Sequence, residues 1–443
     1  MASRQDQLHS YQFMVQRVVA ALVTRETDPP RSPFRRVAGA TLVGVLLAAL
    51  GVGGAAAYAL IVPGTSGKWR NERALIVEKE SGALFVYRDE RLHPVLNQTS
   101  ALLILNQPGV KTISVSTKAL AEAPRGATLG IPGAPASLPT AQRLHRDPWK
   151  MCTKAAASVV FITPEGPRDG TTLGDRGLLV TGPTNAQYLL VQGRKHLIRQ
   201  PGAVLPALVW SGRPQTAVAQ AFLHAVPSGA DLVTPAVEGR GRKVAGKVAG
   251  QLFGVRSGDR VDAFVMTADG LASVTPMQAA LLLAAPETAA VQGRGELLPL
   301  TPGEFAALVH DRQVRPFPAG AGLPATVPQL LDAVSGAVCT TSEATITTGN
   351  ALPDVTRVPE TSQTGTILAD RIVVAPGGGA LVRTDTGNLT LVTDLGRRHA
   401  LPVAGVLAGL GYQGVEPVTV PGEFVGLLPV GPALDPELAA HAQ

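Results

Sequence analysis

Few residues in this sequence stand at spacings that do chemistry. The strongest candidate is Gly241-Arg242-Lys243-Val244-Ala245-Gly246-Lys247-Val248, close to the phosphate loop G-x-x-x-x-G-K-[ST]. Such a loop cradles phosphates on backbone N–H groups, adds a lysine, and holds magnesium with the closing hydroxyl. Val248 has no hydroxyl, and Val237-Glu238-Gly239-Arg240 makes a poor preceding strand. Gly241, Gly246 and Lys247 are therefore weak cofactor candidates, and a basic linker between structural units accounts for them better. His93, His196 and His399 each follow a basic turn. They read either as a shared ligand site or as a turn-flanking residue inherited with a repeat. A fourth copy carries Ser273 and no acidic partner recurs, which favours the structural reading. Eight scattered histidines and two distant cysteines give no metal-ligand spacing, and no G-x-S-x-G or H-E-x-x-H occurs. We expect no catalytic residue, no cofactor and no metal.

The elements around these residues are organised by one apolar run. Residues 37–62 contain no charge and no Asn, Gln or His. About 20 apolar residues suffice to cross a bilayer as a helix, the conformation that satisfies its own backbone in lipid. Arg35 and Arg36 stop the run on one side; Pro63-Gly64, Lys68 and Arg70 stop it on the other. A run this long, this far from the start, is an uncleaved anchor rather than a signal peptide. Before it, Leu8, Tyr11, Val15, Val18 and Leu22 recur at helical spacing, a partner-binding face too short to make a core. Asp28-Pro29-Pro30 ends that helix and Ser32-Pro33 continues as a stiff linker. Arg4, Arg17, Arg25, Arg31, Arg35 and Arg36 outnumber Asp6, Glu26 and Asp28, which keeps this head in the cytoplasm and places the body outside. Within the anchor, Ala40, Gly44 and Ala48, then Gly51, Ala55 and Ala59, form small-residue rows that suit helix contacts or reflect plain Gly/Ala composition. A net charge of +6 without a basic stripe interleaved with aromatics gives no reason to expect nucleic acid.

The body repeats itself. Ala186 to Ile198 and Leu389 to Leu401 both read strand, Gly-basic-basic-His, then apolar; Ala83 to Val95 and Ala263 to Thr275 match more loosely. Pro302-Gly303-Glu304-Phe305 recurs as Pro421-Gly422-Glu423-Phe424. Each copy reads as a short strand pair, a helix, and a final strand and helix turn, with helices over Ala101–Leu105, Val204–Val209, Met277–Leu283 and Val403–Leu410. The fold class expected is α+β: a single-pass membrane protein whose large extracytoplasmic body sets four small α+β units around a central β-rich domain. The expected division is 1–36 head, 37–62 anchor, 72–130 unit one, 131–176 with 312–366 central domain, 177–240 unit two, 241–311 unit three, 367–432 unit four and 433–443 tail. Cys152 and Cys339 fall in the two central inserts, as one disulfide or as two unrelated buried thiols.

The opening Arg4-Gln5-Asp6-Gln7-Leu8-His9-Ser10-Tyr11-Gln12-Phe13, followed by a Pro-rich linker, one anchor, four repeats and a cysteine pair in the inserts, resembles the EccB family of actinobacterial type VII secretion systems. The resemblance covers essentially the whole chain. It implies a structural core component of the plasma-membrane secretion complex, scaffolding the translocation channel on its extracytoplasmic side. It implies a disulfide between Cys152 and Cys339, self-association through the body, and assembly with EccC (the motor ATPase), EccD, EccE and the mycosin protease. Nucleotide hydrolysis has been suggested for the family, so an extracytoplasmic nucleotide hydrolase is the alternative function, against which Val248 speaks.

Overall fold

The computed structural model describes residues 4–25, 27, 33–61, 69–164, 166–309, 313–332, 334–352, 365–403 and 405–443. The expected linker residues Asp28 to Ser32, the end of the anchor at Val62, and the Pro63-Gly64 and Lys68 stop lie outside them. Contacts divide the chain into two compact units, Met1–Asn71 with Val115–Glu122, and Glu72–Ser114 with Ala123–Gln443. The first contains α1 (Arg4–Thr24) and α2 (Pro33–Ile61).

The second unit is α+β, and one strand order recurs in it. In unit one, β1 (Ala74–Glu78), β2 (Leu84–Arg88) and β3 (Arg91–Val95) form an antiparallel meander, and α3 (Gln98–Leu105) leads to β4 (Lys111–Val115) beside β1; α4 (Thr117–Leu120) follows, within the Val115–Glu122 stretch grouped with the first compact unit. The chain then lays down β5 (Lys150–Lys154), β6 (Ala157–Ile162) and β7 (Thr171–Thr172). Unit two repeats the plan with β8 (Leu178–Thr181), β9 (Gln187–Val191), β10 (Arg194–Leu197), α5 (Pro201–Ala207), β11 (Thr216–Ala217) parallel to β8, and α6 (Gln220–Ala225). A small hairpin, β12 (Lys243–Val244) and β13 (Lys247–Val248), precedes unit three. There β14 (Leu252–Ser257), β15 (Arg260–Thr267), β16 (Gly270–Ser273), α7 (Pro276–Leu283), α8 (Pro286–Gln292), β17 (Leu298–Leu300) and α9 (Pro302–Leu308) follow the same path, and β18 (Arg315–Pro316) adds to β16. After β19 (Ala337–Thr341), β20 (Ile346–Asn350) and β21 (Arg371–Val374), unit four has β22 (Gly379–Thr384), β23 (Leu389–Thr393), β24 (Arg398–Ala400), α10 (Val406–Gly409), β25 (Val418–Val420) parallel to β22, and α11 (Gly422–Gly426). The last helix is α12 (Pro436–Ala440).

Period-two patterning explains how the units pack. Successive strand residues face opposite sides, so a strand buried on both sides is apolar throughout. On β22 and β23, Leu381, Leu389 and Leu391 enter a core shared with Leu103 of α3, while Ala380, Val382 and Val392 enter the central core. On β8 and β9, Leu179, Leu189 and Val191 meet Met277 and Leu281 of α7, while Leu178, Val180 and Leu190 enter the central core. Unit four is thus buried between unit one and the centre, and unit two between the centre and unit three. Helices seal both pairs, α3 against α10 and α12, α5 against α7, and α6 packs on α11.

The central sheet has the order β21-β6-β5-β19-β20-β7. Its two hairpins, β5–β6 and β19–β20, meet antiparallel at β5 and β19. Two strands fall outside their expected divisions: β18 joins the unit-three sheet by pairing with β16, and β21 joins the central one by pairing with β6. The chain therefore reads as two halves, each a unit, a hairpin and a second unit. Residues 433–443 carry structure as well: Leu434 and Ala439 are buried, and the Gln443 amide N–H donates to Thr128 O at 2.9 Å.

Two expected helices end earlier than read. α5 stops at Ala207 instead of Val209, and α10 spans Val406–Gly409 instead of Val403–Leu410. In both, a left-handed residue ends the helix, Val209 with φ 58° and Gly411 with φ 87°. Trp210 N–H then reaches back to Leu205 O and Tyr412 N–H to Leu407 O, each at 2.7 Å, closing a Schellman-type end. The recurring Pro-Gly-Glu-Phe starts two helices differently. Thr301 before the first copy forms a capping box with Glu304, whereas Gly422 in the second donates its N–H to Asp385 Oδ1.

Candidate functional site

The basic-basic-His strip is a strap. After its last helix each unit sends a tail back alongside the third meander strand, bridging Leu92 to Arg125, Lys195 to Ser228 and Arg398 to Val430. The first cation holds the bridged tail residue: Arg91, Arg194 and Arg397 donate to the carbonyls of Arg125, Ser228 and Val430. The second, where present, holds the end of the preceding helix: Lys195 Nζ donates to Leu223 and Val226 carbonyls, and Arg398 Nε to Leu428 O at 3.1 Å. Burial lowers the pKa of both cations.

The histidine completes the strap. His93, His196 and His399 each place Nδ1 on the carbonyl of Ala127, Ala230 or Pro432, at 2.9, 2.7 and 3.0 Å. A carbonyl can only accept, so Nδ1 carries the proton. Each ring lies on a glycine: a Cβ built at Gly126, Gly229 or Gly431 would stand 2.2 Å from the ring's Cε1. In unit three Ser273 replaces the histidine, and Pro316 stands where the other tails have glycine, paired with Ser273. There Gln278 Nε2 on α7 holds the tail through Phe317 O and Ala319 O. Burial pushes the His196 and His399 rings below the ordinary value of 6.5. The three histidines stand in three separate straps. The accompanying glycine was missed in the sequence; its signal was a recurrence just over thirty residues after each histidine.

The phosphate-loop candidates do not form a phosphate cradle. Gly241 to Val248 fold into β12, a turn and β13, with Ala245 and Gly246 left-handed in the turn (φ 45° and 79°). Strand β14 follows where a phosphate loop requires a helix whose N–H groups point at the anion. Lys247 Nζ lies 3.5 Å from Glu304 and over the Phe253 ring at 5.4 Å, a packing role. Among the described residues no group of three or more His, Cys, Asp or Glu side chains is placed to hold a metal.

Cys152 and Cys339 face each other across β5 and β19 and form a disulfide with Cα atoms 4.0 Å apart. Both are buried beside Val159, Phe161 and Ala337. In the helical unit, Leu8, Tyr11, Val15, Val18 and Leu22 on α1 are exposed, as are Phe13, Met14, Val19 and Val23. Phe13 lies on the opposite face, with the Arg17 guanidinium 5.9 Å from its ring centre, so apolar surface extends beyond the expected stripe. Among the described residues α2 is the one helix long and apolar enough to cross a membrane, and its Gly39–Ala56 stretch is unburied. Nothing stands within 4 Å of a Cβ placed at Gly44 or Gly51.

The family model T7SS_ESX1_EccB, described as "Type VII secretion system ESX-1, transport TM domain B", matches residues 1–443. The chain belongs to the EccB family. A relative named ESX-3 secretion system ATPase EccB3, from Mycolicibacterium smegmatis (strain ATCC 700084 / mc(2)155), is 26% identical over 477 residues, covering 98% of this chain and 90% of the relative. A solved EccB3 dimer from the ESX-3 core complex matches with a TM-score of 0.64 at 25% identity, over 83% of this chain and 100% of that one. A chain of an intact ESX-5 inner membrane complex shares the fold, with a TM-score of 0.65 at 24% identity over 100% of this chain and 96% of that one. In this EccB family member the strap residues, the disulfide and the hairpin lysine are all engaged in holding the body together. Most of the exposed large apolar side chains among the described residues lie on the two N-terminal helices.

Proposed function

We propose that this chain is a structural core component of a type VII secretion complex, scaffolding the inner-membrane translocation channel on its extracytoplasmic side. The full-length match to the EccB family carries this reading. On it, α2 spans the plasma membrane, α1 lies in the cytoplasm, and the α+β body stands outside, where a disulfide persists. The exposed face of Leu8, Tyr11, Val15, Val18 and Leu22 docks on a neighbouring component. Bodies pair with one another, as in the solved EccB3 dimer. EccC, EccD, EccE and the mycosin protease are the partners the family resemblance offers.

The name of the M. smegmatis relative, an ATPase, favours a second reading, nucleotide hydrolysis supporting secretion. The hairpin geometry at Lys247 speaks against it. The test isolates the complex from cells expressing wild type, Lys247→Ala, or Leu8→Glu with Val15→Glu. The scaffold reading expects the Lys247 variant to assemble and secrete normally and the α1 variant to lose its partners while its body melts unchanged. Loss of both secretion and ATP hydrolysis in the Lys247 variant, with assembly intact, would establish the hydrolase instead.

A further inference from the structure

Two seams join the halves of the body, each where the segment leading into a central hairpin of one half touches the first strand region of a unit in the other. Leu144 bridges Gly379 at one seam, and Leu330 bridges Gly177 at the other. At the second seam Arg213 donates to Leu330 O at 3.4 Å and lies 3.5 Å from Asp332. The first is open, a cleft of about 660 Å³ between residues 141–147 and the Ala375–Gly379 loop. That volume suits a small-molecule site. Its walls are apolar at Leu144, Ile162 and Pro376, and its polar side chains are Gln142, Arg143, His145, Arg146 and Asp147.

We infer that this cleft binds a small organic anion, a phosphate or carboxylate carried on an apolar body. Three observations carry the assignment. The first seam gathers Arg143, His145 and Arg146, whereas the corresponding stretch of the second is Gln329-Leu330-Leu331-Asp332. A seam built twice with cations in one copy does not need them to fold. Arg143 is held in place, with Nη1 3.2 Å from Pro376 O, and a Cβ at Gly377 would stand 2.6 Å from that nitrogen. Arg146 is exposed and makes no ion pair among the described residues, so its planar fork is free for an anion. Finally, His145 Nε2 is buried and lacks a hydrogen-bond partner. A buried polar atom without a partner is uncommon in a folded chain and marks a place where another group belongs. Asp147 at the rim sets a limit on charge: it opposes a large polyanion while leaving room for a single anionic group.

The test titrates the detergent-solubilised full chain with phenyl phosphate, benzoate and inorganic phosphate by calorimetry. One saturable site is expected, with phenyl phosphate or benzoate tighter than inorganic phosphate; which head group binds identifies the anion. Arg146→Ala weakens that binding by about tenfold, the loss of one charge-assisted hydrogen bond, without moving the melting temperature. Arg146→Lys restores part of it. Absence of saturable binding by all three probes overturns the inference, as does an Arg146→Ala variant that binds like the wild type.

Discussion

At the scale of the residue, the body depends on histidine rings lying flat against glycine. Gly229→Ala puts a methyl group into the His196 ring, and overpacking of this kind costs about 2 kcal/mol. Thermal melting checks it, and the ring itself is the obstacle: adding His196→Ala to Gly229→Ala removes part of the loss, so the double variant falls short of additivity. The same rings make stability pH-dependent. His196 and His399 titrate below 6.5 in the folded body because burial disfavours their charged form. The unfolded chain therefore binds protons that the folded one refuses, and stability falls as pH drops below 6.5. Melting temperature followed from pH 7.5 down to 5 should decline through this range. His196→Gln with His399→Gln should flatten the curve.

At the scale of the element, the strands of the repeated strip were legible and the helix ends were not. The Gly-basic-basic-His strip announced β9–β10 and β23–β24 because an alternating strand and a tight turn repeat in sequence and share one register. Helix ends misled because propensity says little about where a left-handed residue will sit. Val209 reads as helix continuation, yet it occupies the position filled by Gly411 in unit four and Asn106 in unit one. A β-branched residue there is strained by about 1–2 kcal/mol, and Val209 is 85% exposed, so it recovers almost nothing by burial. Val209→Gly should raise stability by about 1 kcal/mol after the entropy cost of glycine in the unfolded chain. An unchanged or lower denaturation midpoint would show that the side chain pays its way elsewhere. The phosphate-loop pattern misled in the opposite direction, because an Ala-Gly pair between basic residues also makes a two-residue hairpin turn, and only the following β14 decides between them.

At the scale of the whole molecule, the pairing of unit one with unit four, and of two with three, was not legible. The shared cores draw on residues far apart in sequence, such as Leu103 and Leu391 in one and Val204 and Met277 in another, and no local pattern records them. A trace was visible: β8, β9, β22 and β23 are apolar on both faces, which a lone unit with one wet face would not require. The same blindness applied to the first seam, whose cations are ordinary surface residues until Gly379 is brought beside them. The disulfide joins residues 187 apart and contributes about 5 kcal/mol in the chain-entropy model. Cys152→Ser with Cys339→Ser should lower the denaturation midpoint of the body by a corresponding amount and leave the membrane helix unaffected. A midpoint equal to that of the oxidised wild type would assign the pair no part in stability.

Strand β5 lies between β6 and β19, and β19 follows it in the chain only after two further units have been made. Until then β5 is an edge strand with open hydrogen-bonding groups and a reduced thiol at its middle. Another copy's β19 fits that edge in the same register as the chain's own. The folding hazard built into this body is therefore a strand-exchanged dimer, locked by the two cysteines across chains, whose yield rises with protein concentration during oxidative refolding.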